Sequence, residues 1–149
     1  MISLKFNIED NSWNKTLPMF KKYISRSVAE TIKVASSELE KDSEISFLLT
    51  SDENIKELNF KYKNKNSSTN VLSFPMMKKI EGRIFIGDIA ISSKKILEEA
   101  NKFKKDKYSY LSKITIHGVL HLLGYDHQTD KEYKKMNKLE ENIMKRLIN

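Results

Sequence analysis

The residues of this chain that are best suited to support chemistry are three histidines, at positions 117, 121 and 127, and the sequence contains no others. His117 and His121 are four residues apart, so on a helix both imidazoles project from one face, one turn apart. Gly124 suits the end of that helix, because glycine readily adopts the left-handed conformation there. The chain can then turn back and bring His127 to the same point. Three neutral imidazoles form a zinc ligand set that leaves the fourth tetrahedral position to water.

The spacing of these histidines equals that of the metzincin metallopeptidases, in which a glutamate directly after the first histidine acts as the general base. This chain has Gly118 at that position. The metal ligands are therefore kept while the carboxylate base is missing. A single histidine would more simply belong to the core or the surface, but three at this spacing favour a metal site.

Composition predicts one domain over residues 1–149 with an excess of positive charge. The length is sufficient for a single core, and the absence of cysteine excludes disulfides and thiolate metal ligands. The N-terminus lacks the apolar core of a signal peptide and no apolar run is long enough to cross a bilayer, so we expect a cytoplasmic protein. The net charge of +7 favours polyanions such as nucleic acid, although a lysine-rich composition bias would give the same charge.

Hydrophobic periodicity predicts an α+β fold with a sheet of about four strands. Alternating apolar residues indicate strands at 2–8, 45–49, 71–75 and 83–91. Residues 11–14 and 78–82 are expected to form turns. The Gly87-Asp88 pair interrupts the last strand and predicts a bulge or a close approach of two backbones.

Helices are predicted between and after these strands. A long helix should begin near Pro18 with Thr16 as its cap, and others should begin after Ser51 and after Ser92 or Ser93. The helix that carries the first two histidines should span about 108–123. Thr129 and Glu132 form a capping box for a last helix.

The polar segment 63–70 supplies candidate substrate-binding residues. It is interpreted either as a solvated connection or as a loop that contacts phosphate through Lys63 and Lys65. Asn70 and Ser73 are further candidates for the walls of a cleft, as is Asp88. Each of these three could equally satisfy backbone groups at a strand end.

Three ordered blocks of the sequence resemble the YbeY family of bacterial endoribonucleases, which act in rRNA maturation. The resemblance rests on residues 117–127, which read His-Gly-Val-Leu-His-Leu-Leu-Gly-Tyr-Asp-His, on residues 58–62 with 68–75, and on residues 87–91. These blocks occur in the family's order across about residues 45–145. Three ordered blocks are far more specific than any one alone.

The resemblance implies a mixed sheet flanked by helices, one zinc ion held by His117, His121 and His127, and metal-dependent cleavage of single-stranded RNA. It implies work on the 3′ end of small-subunit rRNA and in ribosome quality control. Ribosomal small-subunit components and an assembly GTPase are the partners that it implies. One position departs from the family pattern, because Lys63 stands where arginine is usual, and lysine lacks the planar fork that arginine offers to phosphate.

The resulting hypothesis is hydrolysis of an RNA phosphodiester by activated water. His117 and His121 hold the catalytic metal and Lys63 neutralises charge that develops on the phosphate. Asp126 is interpreted as orienting His127 or as a turn residue. Two alternatives stay open: a metallopeptidase, against which Gly118 argues, and a non-catalytic assembly factor with a structural zinc, in which Asp126 would supply a fourth ligand.

Overall fold

The computed structural model describes residues 2–63 and 69–148 and has the predicted α+β fold, with helices packed on a four-stranded mixed sheet. The candidate Lys65 lies outside the described residues. Within them, no helix is both long enough and apolar enough to cross a membrane. The elements in chain order are β1 (Ile2–Ile8), α1 (Ser12–Thr16), α2 (Phe20–Ala35), a 3-10 turn (Ser37–Glu40), β2 (Ser43–Thr50), α3 (Asp52–Lys63), β3 (Val71–Ile80), β4 (Arg83–Ser92), α4 (Ser93–Lys102), α5 (Lys107–Leu122) and α6 (Asp130–Ile148).

The strand order of the sheet is β1-β2-β4-β3, which the sequence pattern left open. β1 pairs with β2 and β2 with β4 in parallel, while β3 and β4 form an antiparallel hairpin. β3 therefore lies at an edge, which suits Pro75 because proline cannot donate to a strand ladder. The carboxyl end of β4 and the start of β3 meet near the helix that carries the histidines.

The sequence predicted a bulge or a close approach of two backbones at Gly87, and the structure has both. The register of β2 against β4 shifts between Glu44 and Ile45, which pair with Phe85 and Gly87. A Cβ atom on Gly87 would lie 2.5 Å from the carbonyl oxygen of Phe74 and 2.7 Å from Cδ2 of Leu122. The glycine thus allows the last residue of α5 to approach the sheet closely.

Two predicted turns and one predicted cap are wrong. Residues 12–14 belong to helix α1, and residues 78–80 continue β3, because the pairing with β4 resumes after a second register shift and leaves only residues 81–82 as the turn. Thr16 does not cap α2, since its hydroxyl donates to the carbonyl of Ser12 within α1. Ser51 and Ser92 cap their helices as predicted, by accepting from the backbone N–H of Asn54 and Lys95.

The core holds α5 between the sheet and α6. Helices α2 and α5 pack on one face of the sheet, against the fully buried Ile45, Phe47 and Leu49 of β2, whereas α3 covers part of the other face. Helix α6 packs on α5 through a separate buried cluster. Its N-terminus has the predicted capping box, in which Thr129 and Glu132 exchange two hydrogen bonds of 3.1 Å. The members of the α5–α6 cluster are Ile116, Leu120, Met136 and Ile143.

We expect Ile143→Ala to lower the free energy of unfolding by about 2–5 kcal/mol, because the cavity would open in this fully buried cluster. Ile148→Ala on the same helix is the matched control, since that side chain is 78% exposed. The control should change stability by less than about 0.5 kcal/mol. Urea unfolding of both variants makes the measurement, and equal effects would mean that α6 is not held through this cluster.

Candidate metal centre

Helix α5 exposes its histidines along one stripe and buries nearly everything else. Between residues 110 and 122, Lys113, His117 and His121 are the side chains that are not buried, and they follow each other at intervals of four. The helix begins after Asp106, whose carboxylate accepts from the backbone N–H groups of Tyr108 and Ser109. Solvent therefore reaches this helix along the face that carries the two imidazoles.

The chain returns to this face through a glycine turn, as predicted. Gly124 has a φ of +98°, and the backbone N–H of Tyr125 closes the helix by donating to the carbonyl of Leu120 at 3.0 Å. His127 then stands beside the first two histidines. The ring centroid of His127 lies 5.4 Å from that of His117 and 5.0 Å from that of His121.

One ring nitrogen from each histidine can face a common point. Ligand atoms of the three imidazoles lie within 4.8 Å of one another. The Nε2 atoms of His117 and His121 are 3.0 Å apart. Zinc–nitrogen bonds of about 2.0–2.1 Å at tetrahedral angles place two ligand nitrogens roughly 3.3 Å apart, so the cluster has the dimensions of a three-histidine metal site.

The outer nitrogen of each helical histidine is held by a hydrogen-bond acceptor. Nδ1 of His117 lies 2.6 Å from Oε1 of Glu140, and Nδ1 of His121 lies 2.9 Å from the carbonyl oxygen of Tyr125. These contacts favour the proton on Nδ1 and leave the lone pair of Nε2 directed at the common point. The donor set therefore fits a metal ion by its chemistry as well as by its spacing.

Glu140 is a site residue that the sequence analysis missed. Its side chain is 12% exposed and reaches His117 from α6, 23 residues further along the chain. A signal was present, because Glu140 lies four residues after Met136 and three before Ile143 and so interrupts the buried stripe of its helix. A carboxylate on a buried stripe needs a partner, and His117 is that partner.

The electrostatics of His121 favour the neutral form that a metal requires. Burial lowers the pKa of His121, and the nearby charge of His117 lowers it further. The backbone carbonyl of Tyr125 and the carboxylate of Asp126 act in the opposite direction. A neutral imidazole needs no deprotonation before it binds a metal ion, so this shift supports binding at neutral pH.

Gly118 faces the sheet and not the metal site. A Cβ atom on Gly118 would lie 3.1 Å from Cγ2 of Val71 and 3.4 Å from Oγ of Ser73. The carbonyl of Gly118 accepts a hydrogen bond of 2.9 Å from the Ser73 hydroxyl. Strand β3 thus occupies the space that a metzincin-like glutamate would need at this position.

Asp126 acts in the turn before His127. Its Oδ1 accepts from the backbone N–H of His127 at 2.8 Å. Within ranges 2–63 and 69–148, the group that could hold a metal ion consists of the three histidines without Asp126. The geometry therefore favours the turn role among those considered from the sequence.

A cleft of about 680 Å³, here named the histidine cleft, brings the remaining candidates to the metal site; its walls include Lys63, Asn70, Ser73, His117, His121 and His127. Nζ of Lys63 donates to the carbonyl of Ser73 at 3.1 Å and lies 5.4 Å from the ring centroid of Phe74. Asn70 donates to Glu99 at 3.1 Å. Asp88 instead lines a separate groove of about 880 Å³ together with Ser46 and Leu48, and burial raises its pKa.

Comparison with known proteins gives a consistent result across the chain. Residues 7–148 match the family model described as Endoribonuclease YbeY. The protein of that name from Thermodesulfovibrio yellowstonii is 45% identical over 105 residues, which cover 69% of this chain and 66% of that protein. Its namesake from Bartonella quintana is 35% identical over 99% of this chain and 94% of that protein. The solution structure of TM1509 from Thermotoga maritima superposes with a TM-score of 0.55 at 25% identity, covering 97% of this chain and 91% of that one.

We expect His121→Ala to abolish stoichiometric metal binding, because two imidazoles leave too few protein ligands for a tetrahedral site. In the unaltered protein, occupancy should fall with acidification at about pH 6, below the ordinary imidazole pKa of about 6.5, since protonated imidazole cannot bind and burial lowers the pKa of His121. Elemental analysis of purified protein measures both effects, and Gln128→Ala is the control beside the site. A full metal complement in His121→Ala would contradict the ligand assignment.

Proposed function

This chain belongs to the endoribonuclease YbeY family, and on that premise we propose that it is a metal-dependent endoribonuclease that cleaves single-stranded RNA in the histidine cleft. The observation that carries the proposal is the convergence of three imidazoles on one point at the wall of an open cleft. The cleft is lined by polar groups and open to solvent, as a site for a long polyanion must be. The net charge of +7 favours such a partner.

The metal we propose is one zinc ion, because three imidazoles suit that ion, and the Nδ1 atoms of His117 and His121 are each held by a hydrogen-bond acceptor. When bound, zinc supplies an activated water and polarises a phosphoryl oxygen. The residues of the chain itself hold and orient the metal ligands. His117 and His121 present their Nε2 atoms, while Glu140 and the carbonyl of Tyr125 keep the rings oriented.

Lys63 is the proposed phosphate contact. One of its three N–H donors is directed to the carbonyl of Ser73, and an ammonium with three donors can also donate to a ligand in the cleft. The ammonium lines the same cleft as the three histidines. A positive charge held in advance beside the scissile phosphate would stabilise the charge that develops in the transition state.

The finer parts of the proposal rest on family membership. We infer small-subunit rRNA as the substrate, with a role in its 3′-end maturation and in ribosome quality control. Ribosomal small-subunit components and an assembly GTPase are the proposed partners, and the cytoplasm is the proposed location. The proposed boundaries of the catalytic domain are residues 1–149.

Two other functions fit the structure less well. A metallopeptidase of the metzincin type would need a base where Gly118 packs on β3. An assembly factor with a closed structural zinc would need a fourth protein ligand, and the carboxylate of Asp126 is used in the turn.

We expect the zinc-loaded protein to cleave a structured RNA that has single-stranded ends, and to leave casein intact. A chelator should abolish RNA cleavage and added zinc should restore it, because the metal supplies the activated water. Gel analysis of both substrates, with and without chelator, separates the three functions. Casein cleavage would support the peptidase, and intact RNA in every lane would support the non-catalytic factor.

We expect Lys63→Ala to slow single-turnover RNA cleavage by about 10²–10³-fold at unchanged zinc content, because a preorganised charge would be lost. Lys63→Arg should retain or raise the rate, since the guanidinium fork can hold two phosphate oxygens. Lys61→Ala on the same helix is the matched control. A Lys63→Ala protein that cleaves at the original rate would remove Lys63 from the mechanism.

A further inference from the structure

A second pocket of about 400 Å³ adjoins the histidine cleft, and we name it the aromatic pocket. Its walls include Asn70, His117 and His127, which also line the cleft, so the two spaces meet at the metal ligands. Its volume lies in the range of about 300–1,000 Å³ that is usual for small-molecule sites. The side chains particular to it include Glu99, Phe103, Tyr110, Lys113 and Tyr133.

Exposed aromatic rings stand at the walls of this pocket. Phe103, directly after α4, is 52% exposed, and Tyr133, in the first turn of α6, is 58% exposed. The ring of Phe103 lies 6.2 Å from that of the buried Tyr110. Exposed aromatic rings beside a polar site are the usual platform on which an unpaired base stacks.

The polar groups around Glu99 suit a base better than a phosphate. Oε1 of Glu99 accepts from Nδ2 of Asn70 at 3.1 Å and from the hydroxyl of Tyr110 at 2.9 Å. Burial, together with the hydrogen bond and charge of Glu99, raises the pKa of Tyr110 to about 12, so the phenol stays a neutral donor. A carboxylate held in this way repels phosphate but can accept from the N–H groups of a nucleobase.

Positive charge for the backbone of an RNA strand is available in both spaces. Lys113 lies at the wall of the pocket one helical turn before His117 and is exposed. Lys63 lines the cleft beyond the histidines. One cation thus lines each space, and in the aromatic pocket Lys113 accompanies the carboxylate of Glu99.

We propose that the aromatic pocket binds one unpaired nucleobase of the RNA, next to the phosphate that reaches the metal centre. The inference rests on the proposed function and adds to it the place where a single strand is recognised. A base in a duplex is stacked and paired, and it enters such a pocket only after unstacking at a cost of a few kcal/mol. The pocket would therefore select single-stranded RNA through Phe103 and Tyr133.

The test measures single-turnover cleavage of a short single-stranded RNA at increasing enzyme concentration. We expect the double variant Phe103→Ala, Tyr133→Ala to raise the half-saturating concentration by roughly tenfold to a hundredfold, because stacking on both rings is lost. Zinc content and thermal unfolding should stay unchanged, since both side chains are more than half exposed. Phe60→Ala is the matched control, because Phe60 is 58% exposed and lies outside this pocket.

A scan with one abasic position at a time separates a base contact from a general loss of affinity. The original protein should lose affinity strongly at one position near the cut, and the double variant should be insensitive at that position. If the double variant cleaves RNA with an unchanged half-saturating concentration, or if both proteins give the same abasic profile, the proposed base pocket is wrong. The proposed nuclease activity is not affected by that outcome. If the original protein neither binds nor cleaves the RNA, the proposed function fails and this inference fails with it.

Discussion

The burial of helix α5 on all but one stripe is the constraint on which the metal centre depends. The sheet and α2 cover it on one side and α6 covers it on another, so the stripe of Lys113, His117 and His121 is left to solvent. A helix held in this way cannot rotate without exposing several apolar side chains, each worth about 1.5–3 kcal/mol of burial. The direction of both imidazoles is therefore set by core packing, far more strongly than by any contact between the histidines.

The second support of the site comes from a segment remote in sequence. Glu140 reaches His117 because α6 packs on α5 through Met136 and Ile143. The distinction between local and long-range contacts explains which parts of the site could be predicted from the sequence. The ligand spacing and the glycine turn are local and were visible as a pattern, whereas Glu140 depends on the docking of two helices. The strand order could not be predicted for the same reason, because the alternation of apolar and polar residues identifies a strand but not the strand beside it.

Local motifs identify the candidate ligands, and the residues around them decide what chemistry they support. His117, His121 and His127 have metzincin spacing, yet Gly118 packs on Val71 and Ser73 of β3. The same three-ligand arrangement therefore has a strand where a peptidase would have its base. Predicted turns failed on similar grounds, because residues 78–80 look like a loop in composition and continue β3 only through pairing with β4.

A nucleotide presents a charged phosphate and a flat base, and residues that suit each of them line the two adjoining spaces of this site. Its phosphate needs cations, and its base needs flat apolar surfaces with a few hydrogen-bonding groups. The histidine cleft is lined by the ammonium of Lys63, and the aromatic pocket is lined by the exposed rings of Phe103 and Tyr133 and by Glu99. Because His117 and His127 line both spaces, a strand that placed its base in one would lay a neighbouring phosphate at the other. The metal centre thus stands at the boundary between these two environments, where the bond to be cut would lie.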